Sequence, residues 1–195
     1  AIERACAERG IAVRTIGTDR LYKDPATLAR ELNPHLPEDR EQDPVLLFGS
    51  LYEGGYAGLM KANEVAALAK EMAEFRERGT GVLIVHGNGA LVADLRSRAD
   101  ARAFMDVTPM KATLNAKAGR VRNLGDSETR PFKTVMRRCY YVDFETAVRL
   151  RKELLDDGGM DFYVAADDPE NVQLMPFESL NAIFDALVRV PLRCK

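Results

Sequence analysis

Gly81-Val82-Leu83-Ile84-Val85 runs into His86-Gly87-Asn88-Gly89, and apolar residues then recur at helical spacing from Leu91 to Phe104. This stretch constrains the fold more than any other. A continuous, mostly β-branched run reads as a strand buried on both faces. The glycines turn the chain out of it and into a helix. A strand, glycine turn and helix make a candidate anion site, because backbone N–H groups can approach a ligand and a helix start adds partial positive charge.

The remainder of the first half repeats the alternation. Ile2 to Arg9 reads as a helix closed by Gly10, and Ile11 to Ile16 as a strand ending at Gly17. Asp24-Pro25 starts a helix carrying Leu28 and Leu32 that stops near Asn33-Pro34. Pro37 to Pro44 is an acidic, solvated loop, with His35 on the surface beside it. Val45-Leu46-Leu47-Phe48 reads as a second fully apolar strand ended by Gly49-Ser50. A glycine-rich segment from Leu51 to Gly58 follows. Val65, Leu68, Ala69, Met72 and Phe75 then mark a helix closed by Gly79.

Met110 to Arg138 breaks the pattern, with eight basic residues against two acids and no helical stripe. It reads as a loop or β-hairpin insertion spanning 106–138. Cys139 to Val142 then reads as a strand and Asp143 as the cap of a helix reaching Asp156. Phe162 to Ala166 reads as a strand, Val172 to Met175 as a short edge strand, and Glu178 to Arg189 as an amphipathic helix. The order predicts a single α/β domain over 1–195, three-layered and Rossmann-like, with a mainly parallel sheet and a basic insertion.

Composition narrows the function classes. A net charge of −2 argues against wholesale nucleic-acid binding. Cys6, Cys139 and Cys194 form no CxxC pair and the two histidines stand apart, so neither a disulfide scaffold nor a transition-metal site is indicated. The absence of an apolar run long enough to span a bilayer predicts no membrane partner and a cytoplasmic location. The chain begins without an initiator Met in what reads as mid-helix, which suggests an upstream strand.

In a parallel sheet, the turns after the strands share one crevice. Gly49, Ser50, Gly54 and Gly55 are therefore candidate ligand-binding residues together with Gly87, Asn88 and Gly89. Arg120, Arg122 and Arg130 of the insertion are candidate phosphate contacts. His86 stands where a strand-end general base would stand, and Asp167 follows a later strand where it could hold Mg²⁺ or a ribose hydroxyl. These two are the candidate catalytic residues, with no metal ligands assigned and Mg²⁺ left open as a cofactor. The glycines also have a plain reading as tight turns, and Asp167 as a turn former. Ser50 lacks a GxSxG elbow and an identifiable base. Neither glycine loop matches GxGxxG or a P-loop.

Tyr141-Val142-Asp143-Phe144-Glu145-Thr146 resembles the first metal-binding motif of the DnaQ-like exonucleases, over six residues. The resemblance implies Asp143 and Glu145 on a strand, facing one metal. A helix cap with a first-turn Glu explains the same letters. The order of elements is similar to that of the lysine-decarboxylase-like phosphoribohydrolases at the level of fold, but their PGGxGTxxE motif is absent.

Three functions follow as expectations. The first is binding, and in an enzymatic version turning over by transferase or hydrolase chemistry, a nucleotide or other phosphorylated small molecule at the C-terminal edge of the sheet. The second is a non-enzymatic assembly or adaptor role with an inert body, compatible with homo-oligomerisation. The third is a metal-dependent nuclease using Asp143 and Glu145.

Overall fold

The computed structural model describes residues 2–190, so Ala1 and Cys194 lie outside the described residues. It shows a mixed α/β fold, about half helical, with no closed barrel. Among the described residues the strands form two small sheets, and the single mainly parallel sheet expected from the alternation is not found there. β1 (Val13–Gly17) pairs in parallel with β2 (Val82–His86), in register from Val13 opposite Val82 to Gly17 opposite His86. β3 (Ala103–Asp106) pairs in parallel with β4 (Phe162–Ala165), and β5 (Gln173–Pro176) adds antiparallel to β4. Among the described residues β2 has one strand neighbour, so Val82 to Val85 are half-buried instead of enclosed on both faces.

The helices are α1 (Ile2–Ala7), α2 (Pro25–Leu32), α3 (Gly55–Leu59), α4 (Ala62–Arg78), α5 (Ala93–Arg96), α6 (Pro109–Lys117), α7 (Phe132–Arg138), α8 (Phe144–Asp156) and α9 (Phe177–Arg189). Asp24 caps α2 through its carboxylate, which accepts from the Thr27 N–H at 2.9 Å. Leu28, Leu59, Leu68, Leu95 and Leu154 bring one fully buried leucine from each of α2, α3, α4, α5 and α8 to a common core. Burying a leucine contributes roughly 2 kcal/mol. A smaller cluster of Ala116, Val135 and Cys139 joins α6 to α7. No helix among the described residues is long and apolar enough to cross a membrane.

Four segments depart from expectation. Val45 to Phe48 is not a strand, and Val45, Leu47 and Phe48 are exposed. Its backbone groups are claimed by side chains instead. The Phe48 N–H donates to Asp43 at 2.7 Å, Arg137 donates to the Phe48 carbonyl, and the Tyr141 hydroxyl donates to the Leu47 carbonyl at 3.0 Å. Leu91 to Phe104 is a short helix followed by β3, not one helix. Cys139 to Val142 is helical: α7, a π-helical turn over Cys139–Asp143, and α8 run on without a break. Asp143 is therefore inside a helical segment and caps nothing.

The basic stretch is the fourth departure. It contains the end of β3, α6, a loop and α7, and its loop is docked on the protein. Leu124 joins the main core, while Asn123 and Asp126 are buried. Gly125 makes this possible, because its φ of +76° favours glycine and a Cβ there would stand 2.5 Å from Leu28 Cδ1. At the other end of the chain, α9 buries Leu180 and leaves Ile183, Phe184, Leu187 and Val188 exposed. Gly125→Ala is expected to lower stability by about 1–3 kcal/mol, from backbone strain and the clash with α2. Chemical denaturation measures this. An unchanged midpoint would mean that the loop is not docked.

Candidate functional site

Among the concavities of the described residues are two of ligand size. The larger, a groove of roughly 670 Å³, lies between α2, residues 36–46 and α7. Arg40, Arg130, Lys133, Arg137 and Arg138 line it against Glu38 and Asp126, with Leu36 and Val45 on the apolar side. Pro at the second residue of the Asp24-Pro25 start sets α2 along one wall, and Lys133 and Arg137, one helical turn apart, face it from α7.

A buried polar network fixes α7. Arg138, with its side chain 11% exposed, donates to Asp126 Oδ1 at 3.2 Å and to the Leu124 carbonyl, and its Nε lies 3.6 Å from Asp143 Oδ1. Arg130 Nε lies 3.0 Å from Asp126 Oδ2. Asn123 Nδ2 donates to Asp143 Oδ2 at 2.6 Å and to the Val135 carbonyl at 3.1 Å. Burial pushes the Asp143 carboxyl up to about 6, against the opposing pull of Arg138 and of the Asn123 hydrogen bond. Burial, with the Asp143 charge nearby, likewise pushes the Cys139 thiol up to about 12, so it is no thiolate nucleophile.

The second concavity, of about 370 Å³, lies between α3, the start of α4, the start of α5 and α8. Gly54 and Gly55 line it, and so do Val92 to Asp94, which follow the Gly87–Gly89 turn.

Of the candidates named from sequence, Arg130 reaches the groove, and Gly54 and Gly55 reach the smaller cavity. Arg120 and Arg122 reach neither, being spent on Asn115 Oδ1 at 2.8 Å and the Ser127 carbonyl at 3.0 Å. The Gly87-Asn88-Gly89 turn is used through a carbonyl: Asn88 O accepts from Thr18 Oγ1 at 2.9 Å and from the Tyr22 hydroxyl at 3.0 Å. A Cβ on Gly87 would strike Thr18, and one on Gly89 would strike Met60 and Tyr56, so close packing accounts for both glycines. Gly49 is hemmed in similarly by the His35 carbonyl and the Tyr141 ring.

His86 is exposed at the end of β2, and Asp167 lies past the end of β4 in the other sheet. The structure shows no hydrogen bond between them. Both Asp167 oxygens are occupied, accepting from Thr108 Oγ1 and N at 2.7 Å each, and these bonds hold the carboxyl below the usual carboxylate range. Asp167 thus secures Thr108, the cap of α6. Asp143 and Glu145 are on a helical segment, so the strand that the exonuclease resemblance requires is missing. Among the described residues, no group of three His, Cys, Asp or Glu side chains is close enough to hold a metal ion.

Sequence reasoning missed three features. Arg40, Lys133, Arg137 and Arg138 were one basic stretch and an acidic loop until folding joined them, although the i, i+4 spacing of Lys133 and Arg137 was a readable signal. Thr146 carried none. Ser50 does meet a histidine, with its Oγ 3.1 Å from His35 Nδ1, but no acid orients the His35 ring among the described residues. The Tyr52 ring packs edge-on against it instead, which makes this a structural contact.

These features define a mixed α/β protein with two concavities of different charge, the larger one cationic. The chain belongs to the family described as Domain of unknown function (DUF8485), whose model matches residues 1–189. No curated protein and no solved structure matches the chain.

The raised Asp143 pKa has a definite sign. The folded protein holds that proton more tightly than the unfolded chain, so the contribution is fully present below the ordinary value of 3.8 and is lost as pH rises through about 6. Relative to Asp143→Asn, the wild type is expected to lose up to roughly 3 kcal/mol of stability between about pH 4 and 6. Parallel stability curves for the two proteins would show that Asp143 carries no raised pKa.

Proposed function

We propose that the protein binds a nucleotide or another phosphorylated small molecule in the cationic groove. The observation that carries the reading is the convergence of five cationic side chains, against two acidic ones, on a concavity of roughly 670 Å³. That volume lies in the range of small-molecule sites. Lys133 is exposed and has no hydrogen-bond or ion-pair partner among the described residues. Arg130 commits only its Nε, to Asp126, which leaves its terminal nitrogens for a bidentate phosphate contact. The apolar side, with Leu36 and Val45, suits the organic part of such a ligand.

The reading is one of binding, because neither His86 nor Asp167 lines the groove.

Thermal-shift measurements with pyrophosphate, ADP and ribose 5-phosphate test it. A ligand at 100 times its Kd is expected to add about 2.7 kcal/mol of stability. The double variant Arg130→Ala, Lys133→Ala is expected to weaken binding by about tenfold or more, through loss of two charge-assisted contacts. Silence across the three probes, or unchanged affinity in the double variant, would overturn the reading.

A second reading, assembly of copies of this chain, is favoured by the open apolar face of α9. A solution mass above the monomer that Phe184→Glu returns to the monomer would support it. A monomeric mass at all concentrations would remove it.

A further inference from the structure

The smaller cavity differs from the groove in wall and in charge, and no residue lines both. Tyr56, Met60, Val65, Val92 and Leu150 give it apolar walls. Glu53, Asp94 and Glu153 stand around it against a single cation, Arg149, so its field is negative where that of the groove is positive. Asp94 and Glu53 are exposed and make no ion pair among the described residues, and Glu153 has only Arg96 at 3.8 Å.

Thr146 supplies an independent observation. It lines the cavity, is 1% exposed, and its hydroxyl has no hydrogen-bond partner among the described residues. Buried hydroxyls are nearly always bonded, so this one points to a partner supplied from outside the chain. The carboxylates do not form a cluster close enough for a metal ion. An extended cation on an apolar frame meets all three conditions: the walls take the frame, the carboxylates take the charge, and the Thr146 hydroxyl accepts one of its N–H groups.

We infer that this cavity binds a small organic cation, an ammonium or amidinium group carried on an aromatic or apolar body. The site is separate from the anion groove, and the inference goes beyond the phosphorylated-ligand reading without resting on it. Arg149 is the one cation lining the cavity, against three carboxylates, and its side chain is exposed to solvent.

Benzamidine and benzoate share a ring and a planar fork but differ in charge, so together they separate charge from apolar fit. Methyl-labelled full chain, titrated with each and followed by NMR at Thr146, Val65, Val92 and Leu150, gives the test. Benzamidine is expected to shift these resonances saturably, and benzoate to leave them in place. Asp94→Asn with Glu153→Gln is expected to weaken benzamidine binding by about tenfold, through loss of two charge-assisted contacts. Thr146→Val, which preserves shape and removes the orphan hydroxyl, is expected to weaken binding while leaving Tm unchanged or raised. Lys133→Glu, in the groove, is expected to leave benzamidine binding unchanged. No saturable shift with benzamidine, an equal response to benzoate, or indifference to the carboxylate double variant would each overturn the inference.

Discussion

A guanidinium held between two carboxylates in the interior is the constraint on which the rest of this structure depends. Arg138 sits between Asp126 and Asp143, with Asn123 and the Leu124 carbonyl completing the set. Moving such charges out of water is costly, and only close geometry with additional hydrogen bonds offsets it. Removing one partner from an arrangement of this kind typically costs about 3–5 kcal/mol, because the other charge stays buried. The network therefore welds the 118–131 loop to the long helical segment of α7 and α8. It also explains why Asn123 to Asp126 enter the protein when so basic a neighbourhood would otherwise stay solvated.

Both concavities follow from that weld. α7, once fixed, presents Lys133 and Arg137 to the groove, and Arg137 in turn holds the Pro37 and Phe48 carbonyls and so closes the opposite wall. The π-helical turn then carries the chain into α8, which supplies Thr146, Arg149, Leu150 and Glu153 to the second cavity. One helical segment thus borders a positive site with its first half and a negative one with its second. Wide helical turns of this type recur at functional sites. Here the turn contains Cys139 and Asp143, both buried, and lets the inward-facing acid meet Asn123 and Arg138.

Local chemistry was legible wherever a segment settles its own structure. Asp24-Pro25 starts α2 and Gly79 ends α4, through a cap and a left-handed residue that need no distant partner. β4, β5 and α9 fall close to where alternation and helical spacing place them. The failures share a cause. Val45 to Phe48 has the letters of a strand, but Asp43, Arg137 and Tyr141 take its backbone groups before any strand can. Cys139 to Val142 is β-prone by composition, yet helices on both sides and the Asn123–Asp143 bond hold it helical. Arg120, Arg122 and Arg130 look equivalent in sequence; two are spent on local turns and one faces the groove.

The amino-acid sequence by itself determined the mixed α/β class, the start of α2, the end of α4 and the span of α9, because these rest on contacts and spacing within a few residues. Tertiary structure alone decided that the strands divide into two sheets, that the basic stretch docks through Gly125, and which charges converge. Those outcomes depend on pairs far apart in the chain, such as Arg137 with Phe48 and Asp167 with Thr108. A charge in sequence has no partner until folding supplies one, and its partner decides whether it is structural or free to meet a ligand.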